Sequence, residues 1–290
     1  MFIDIHVHTK VIPPCPRPGN VQAFATPKQL LEHYDKHEIE RAVLLPIVSP
    51  ECEIPQSNEE ILEVCQQNDR FIPFCNIDPR AISNAADAPL GDILRYYKDQ
   101  GCKGLGEVTA NLPFTDPKVQ NLFKHVEAVG FPLTFHIAAK IDNMYGLYDD
   151  PGLPQLEYSL QKFPKLKFFG HSQTFWAEIG ELDTVGDRFG YPRYPIKAEG
   201  AVPKLMRKYD NLYGDLSAGS GCNALARDEA YAIKFINEFQ DRLMFGTDIC
   251  VPNVPTPLVD YLLKLKHEQK ISDKVFAKIA KENAIRILEL

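Results

Sequence analysis

The 290 residues carry 32 basic and 39 acidic side chains, a net charge of −7, with hydrophobic residues at 44% and charged residues at 24%. That balance describes a globular chain and argues against a nucleic-acid backbone as its partner, because such a partner calls for a basic surface. No run approaches the roughly 18 consecutive apolar residues of a membrane span, and the seven cysteines are scattered without a C-x-x-C. Reduced thiols in a cytoplasm are therefore expected, rather than a disulfide framework or zinc ribbon. The N-terminus runs directly into a strand, so no signal peptide is expected.

Met1 to His8 alternates apolar residues with Asp4, His6 and His8, a period of two that places these three on one face of a strand. Prolines at 13, 14, 16 and 18 make the following stretch a long loop. Thr26-Pro27 reads as a cap and first turn of a helix to about His37. Arg41–Ile47 is a buried strand, a helix is expected near Asn58–Gln67, and Phe71–Ile77 is a third strand. A helix near Leu90–Gln100 leads to a fourth strand, Lys103–Thr109, whose two glycines permit close backbone approach. Asp116 caps a helix whose stripe is Val119, Leu122, Phe123 and Val126, and Gly130 ends it. Four more strands follow, Phe131–Ile137, Leu166–His171, Asn211–Ser217 and Arg242–Asp248, and Ser272 caps a last helix ending near Leu288.

Eight strands alternating with helices, without a linker or repeat, predict an α/β chain folded over 1–290 as a single (β/α)8 TIM barrel. Two loops are long for such a barrel, 9–26 after the first strand and 172–199 after the sixth. The second holds Trp176, Tyr191, Arg193 and Tyr194 and reads either as a lid or binding wall or as a surface excursion or subunit contact.

Barrel active sites lie at the C-terminal ends of the strands. His6 and His8 end the first strand, Glu107 lies near the end of the fourth, His136 nearly ends the fifth, His171 ends the sixth and Asp248 the eighth. His33, His37, His125 and His267 fall instead in helices or their flanks, where exposure is expected. Taken singly, His136 reads better as a core histidine, while an ion-pair partner is an alternative for Glu107 and a turn cap for Asp248. Together they form a set of imidazoles and carboxylates suited to zinc, iron or manganese.

The ordered set His6-x-His8, Glu107, His136, His171, Asp248 resembles the amidohydrolase superfamily of metal-dependent barrels. Asp4-Ile-His-Val-His8, Gly170-His171-Ser172, Leu212-Tyr-Gly-Asp215, Phe245-Gly-Thr-Asp248 and Glu282-Asn-Ala-Ile-Arg-Ile-Leu288 extend the similarity over the whole chain. The nearest branch is the amidohydrolase-related family, which also holds decarboxylases related to aminocarboxymuconate semialdehyde decarboxylase. The resemblance implies that His6, His8 and Asp248 hold the more buried metal. It implies that His136 and His171 bind a second ion or contact water and substrate. Gly106-Glu107 stands where many members carry a carboxylated lysine, and is similar to the metal-binding glutamate of the TatD-like deoxyribonuclease branch. A bridging Glu107 implies two ions, most simply Zn2+ with Mn2+ or Fe2+ as alternatives, and a non-bridging one implies a single ion.

The chemistry expected is hydrolysis of an amide, ester or lactone by metal-activated water, with Asp248 as proton acceptor and His171 as an orienting or polarising group. Non-oxidative decarboxylation of an aromatic or unsaturated acid is the competing reading, and a non-catalytic metal-binding barrel a third. Lys10 and Arg193 are candidate partners for a substrate carboxylate or phosphate. Trp176, with Phe175, Tyr191 and Tyr194, is a candidate surface for a planar substrate, and Asp215 and Ser217 are candidate pocket-lining residues. Each has an ordinary alternative as a solvated charge or core aromatic. The expected partner is a small molecule, with neither nucleic acid nor membrane, in a possible homo-oligomer.

Overall fold

The computed structural model describes residues 1–16, 23–52 and 55–290. Strands β1 (Phe2–Val7), β2 (Ile39–Leu44) and β3 (Phe71–Pro73) form one parallel sheet. A second runs β4 (Leu105–Val108), β5 (Leu133–Ala138), β7 (Phe168–His171), β8 (Leu212–Asp215) and β9 (Leu243–Met244), with the short β6 (Leu147–Tyr148) added beside β5. Backbone hydrogen bonds join the two at both seams. Lys103 N–H donates to the Pro73 carbonyl (2.9 Å) and Gly106 N–H to that of Cys75 (3.0 Å). On the other side Ile5 N–H donates to Phe245 (3.1 Å) and Asp248 N–H to His6 (2.7 Å). The ring of parallel strands therefore closes as the TIM barrel expected from the alternation.

Helices α1 (Pro27–His37), α2 (Asn58–Gln67), α3 (Leu90–Asp99), α4 (Pro117–Val129), α5 (Pro154–Lys162), α6 (Gln173–Ala177), α7 (Ala201–Lys208), α8 (Ala218–Ala226), α9 (Glu229–Phe239) and α10 (Pro257–His267) follow in turn. Helices α11 (Asp273–Ala277) and α12 (Asn283–Leu288) are joined by a π turn at Lys278–Glu282 into one terminal run. The caps act as their residue types dictate. Thr26 and Gln29 form a reciprocal capping box on α1, Asp116 accepts from Lys118 N–H at α4, and Gly130 leaves that helix at φ +79°.

The strands are shorter than their apolar runs. The third, expected over 71–77, is a continuous strand only at Phe71–Pro73, and the eighth only at Leu243–Met244, with single bridges beyond them at Cys75 and Ile249. The apolar runs continue past the ladder because both faces of these residues are buried. Of the loop expected over 9–26, residues 17–22 lie outside the described residues, and 9–16 and 23–26 form no helix or strand. The segment 172–199 contains α6 and a 3-10 turn at Val185–Phe189.

One face of the strands packs apolar side chains against the helices. The other packs Ile3, Ile5, Val43, Leu45, Ile72, Phe74, Phe169 and Met244 into a smaller cluster, closed by Ala284, Ile287 and Leu288 from α12. The pairing of β1 with β2 shifts register between Asp4 and Val7, and that of β4 with β5 between Leu105 and Val108. Such irregularities re-aim side chains. Asp4 consequently does not share a face with His6 and His8. Its carboxylate accepts from Tyr34 Oη on α1 (3.0 Å), Thr247 Oγ1 (2.5 Å) and Thr247 N–H (2.9 Å), tying the first strand to the last.

In β4, Gly106 has φ +148°, and a Cβ there would lie 2.8 Å from the Thr134 carbonyl oxygen. A Cβ on Gly104 would enter the Phe74 ring at 2.4 Å. Glycine is therefore required for this strand to approach its neighbours.

Candidate metal centre

Six side chains from five strands converge at the C-terminal mouth. His6 Nε2 and His8 Nε2 are 3.2 Å apart. Asp248 Oδ1 lies 3.6 Å from the first and 3.4 Å from the second. Glu107 Oε2 lies 3.6 and 3.5 Å from the same two atoms. Four ligands held at about 2.0–2.1 Å in a tetrahedron have edges of roughly 3.3–3.4 Å, so the donor spacing fits one zinc-sized cation.

The protonation pattern points the same way. His6 Nδ1 meets Asp215 Oδ2 at 2.6 Å, and His8 Nδ1 meets the Leu45 carbonyl at 2.8 Å. Both acceptors place the ring proton on Nδ1, which leaves both Nε2 lone pairs facing the centre.

Glu107 Oε1 accepts from His136 Nδ1 at 2.8 Å. His171 Nε2 stands 3.8 Å from that oxygen and 3.7 Å from Asp248 Oδ2, while its Nδ1 meets Ser217 Oγ at 2.8 Å. His6, His8 and Asp248 form one possible ligand group, and Glu107, His136 and His171 another. A bond of 2.8 Å from His136 to Glu107 is a hydrogen bond rather than the wider edge of a ligand pair.

Electrostatics demands positive charge here. Glu107, Asp215 and Asp248 are three carboxylates in a buried cluster, and among the described residues their ion-pair partners are histidines alone. An unpaired buried anion costs several kcal/mol, on the order given by ion-transfer penalties. Burial pushes Glu107 up, but its contacts with His136, His6 and His8 outweigh this and hold it well below the usual carboxylate range. Burial likewise acts against Asp248, yet its bond to His8 and the nearby His6 and His171 bring it down to about 2. For His6 the burial penalty is outweighed by Asp215 and Glu107, so that without a cation the imidazole is drawn toward protonation. Burial, then His6, pushes His171 down to about 4, and it stays neutral.

The remaining sequence candidates lie elsewhere. Asp215 and Ser217 are wholly buried and hold His6 and His171, so they orient the imidazoles rather than line the pocket. Trp176 is a core residue, 1% exposed, whose indole N–H donates to the Asp215 carbonyl at 2.8 Å. Phe175 packs so tightly under Gly170 that a Cβ there would meet its ring at 2.3 Å. Lys10 is buried beside the Pro55 carbonyl (3.3 Å) and Glu60 (4.0 Å), a local tether rather than a free cation. Arg193 is exposed. Among the other histidines only His267 is exposed, whereas His33, His37 and His125 are half-buried because their helices pack against neighbours.

Two contributors were not anticipated. Asn76 is buried just past β3, and its amide donates to the carbonyls of Glu107 (2.6 Å) and Pro46 (2.8 Å), which anchors the turn of β4. An amide ending an apolar strand run was its signal in the sequence. Tyr145 lies against the His136 ring, centroids 4.6 Å apart, and nothing in its local sequence marks it.

The amidohydrolase family matches residues 3–290. The chain belongs to the amidohydrolase family. Several solved amidohydrolase-like barrels superpose on it over nearly their whole length. A Burkholderia multivorans amidohydrolase with bound zinc is 14% identical, with a TM-score of 0.64 and coverage of 100% of this chain and 99% of that one. A 5-carboxyvanillate decarboxylase from Sphingomonas paucimobilis is 16% identical, TM-score 0.63, with the same coverage. A probable 2-pyrone-4,6-dicarboxylic acid hydrolase from Acinetobacter baumannii with citric acid bound is 16% identical, TM-score 0.59, again with 100% and 99% covered. At these identities the likeness carries the fold alone. No curated protein sequence matches the chain. Among the described residues no helix of this amidohydrolase is long and apolar enough to cross a membrane.

Proposed function

We propose that this amidohydrolase is a metal-dependent hydrolase of an amide, ester or lactone bond in a small carboxylated compound. The cation, Zn2+ ahead of Mn2+ or Fe2+, would be held by His6, His8, Glu107 and Asp248. The observation that carries the reading is the approach of Glu107 Oε2 and Asp248 Oδ1 to within 3.4–3.6 Å of both His6 Nε2 and His8 Nε2, themselves 3.2 Å apart, with both imidazole tautomers set toward the centre. A divalent cation there supplies Lewis acidity and lowers the pKa of water toward about 7.

The chain's own groups do the rest. Asp248, ionised at neutral pH, takes the proton of the attacking water and returns it to the leaving oxygen or nitrogen. His171, neutral and 3.7 Å from Asp248 Oδ2, orients the water or the scissile carbonyl. His136 keeps Glu107 ionised and fixed. Lys10, beside Glu60 and the Pro55 carbonyl, is not free to pair with a substrate carboxylate. A dicarboxylic acid hydrolase and the decarboxylase of an aromatic acid, both of the same fold, support a small carboxylated substrate.

Non-oxidative decarboxylation is the second reading. The bond from His136 to Glu107 Oε1 favours it, because a single-cation centre suits chelation of a carboxylate and an adjacent oxygen. In that case Asp248 or a histidine delivers a proton to carbon as carbon dioxide leaves.

One experiment separates the two. Metal-reconstituted protein is given a panel of lactone, amide and ester carboxylates together with hydroxylated benzoates, and both titratable acid and carbon dioxide are followed. Acid without carbon dioxide supports hydrolysis, and carbon dioxide supports decarboxylation. Inactivity on the whole panel, with metal bound, counts against both.

A further inference from the structure

The centre is closed on one side by an apolar roof. Phe24, Ile47 and Cys52 pack together with Tyr145 and Cys250, side chains from the loops after β1, β2, β5 and β9. Tyr145, in the loop after β5, lies on His136 of that strand and packs against the cluster formed by Phe24, Ile47 and Cys52 from the loops after β1 and β2. Its loop is strapped down. Asn111 donates to the carbonyls of Lys140 (3.2 Å) and Gly146 (3.1 Å) and accepts from Asp142 N–H (2.7 Å). Gly146 is so close that a Cβ would meet His136 Cδ2 at 2.7 Å. Under this roof the side chains of His6, His8, Glu107, His136 and His171 are between 0% and 11% exposed, and Asp248 alone reaches 24%. A substrate therefore approaches from the Asp248 side.

On that side stands Tyr191, its hydroxyl beside Gly219, whose neighbour Ala218 donates its N–H to the carbonyl of Thr247 (3.3 Å), the residue before Asp248. Tyr191 is held by anchors on both flanks. Arg188 is buried in an ion pair with Glu178 (2.7 Å) and donates to the Asp149 carbonyl (3.0 Å). The Pro192 carbonyl accepts from Asn223 of α8 at 3.1 Å. The Tyr191 hydroxyl lies 3.8 Å from where a Cβ of Gly219 would stand, two residues beyond Ser217, which holds His171. It makes no hydrogen bond among the described residues. Burial and the charge of Asp248 raise its phenol above the ordinary value, so it remains a proton-bearing donor.

We propose that Tyr191 donates a hydrogen bond to a carbonyl or carboxylate oxygen of the substrate on the open side of the centre, so that the 172–199 segment contributes a catalytic residue. This rests on the proposed metal-dependent function.

The test uses full-length protein loaded with Co2+, whose visible spectrum reports the ligand field, and acetohydroxamate as an oxygen-donor probe. Tyr191→Phe keeps the half-exposed ring, and thermal melting checks that the fold is kept. The expected result is unchanged Co2+ binding and a roughly three- to tenfold rise in the Kd of acetohydroxamate, the effect of one hydrogen bond. Equal Kd in the two proteins overturns the inference alone, as does a probe that leaves the wild-type Co2+ spectrum unchanged. Wild-type protein that takes up no Co2+ overturns the proposed function and this inference with it.

Discussion

The two ends of the same barrel strands have opposite chemistry. Inside the barrel, below the mouth, Ile3, Ile5, Val43, Leu45, Ile72, Phe74, Phe169 and Met244 meet α12 in an apolar cluster. A few residues further along the same strands stand His6, His8, Asn76, Glu107, His136, His171 and Asp215, all buried and all bonded to one another or to the backbone. The apolar end stabilises through area removed from water. The polar end gathers three carboxylates whose charges need a cation, so it spends stability on chemistry. One strand thus serves both tasks by changing residue type along its length, and each end can be disabled separately.

The largest effect is expected at the ligands. Asp248→Asn or His6→Ala should abolish stoichiometric metal retention, read by elemental analysis after dialysis, and lower activity more than about a hundredfold. The fold should survive. Full metal content in either variant would detach the polar end from metal binding.

Phe169→Ala should do the reverse, because it empties a site 1% exposed in the apolar layer. A loss of about 3–5 kcal/mol in denaturant unfolding is expected, with metal content retained by the folded protein. Loss of metal from the folded protein would show that the two ends are coupled.

Asp215→Asn should weaken metal affinity by about 10–100-fold in a chelator competition, because His6 loses the acceptor that sets its tautomer. An unchanged affinity would return Asp215 to a packing role.

Acidification should release the metal. Without a cation His6 and His8 are raised above the ordinary imidazole value, whereas Asp248 stays ionised down to about 2. Protons therefore compete at the two imidazoles, and affinity should fall steadily as pH drops from 8 to about 6, by up to roughly two decades per unit. A flat profile over that window would mean that the imidazoles do not ligate.

The smallest effect is expected from Ser217→Ala, which removes the partner of His171 Nδ1. A cost of about 1 kcal/mol, near a fivefold loss in kcat/KM with metal content unchanged, is the scale of one hydrogen bond. A loss a hundred times larger would give Ser217 a direct part in the chemistry.

Much of this was legible in the residues. Period-two alternation, helix caps such as Thr26-Pro27 and Asp116-Pro117, and the placing of His6, His8, Glu107, His136, His171 and Asp248 at strand ends all follow from local rules. Those rules act over a few residues, and each ligand can be located by where its own strand stops. What they could not supply is how side chains far apart in sequence meet. The register shift in β1 turned Asp4 away from its neighbours. The bond between His6 and Asp215 joins residues 209 positions apart. Trp176 and Lys10 look like binding groups until their burial and partners are known. Tyr145 reaches His136 only because the β5 loop folds back over the mouth. The sequence by itself determined the barrel, the direction of its strands and the identity of the converging groups, since these depend on periodicity and residue type. Tertiary structure alone decided that Glu107 gives one oxygen to the centre and the other to His136, and which face of the centre stays open, because both depend on distances set by packing between strands.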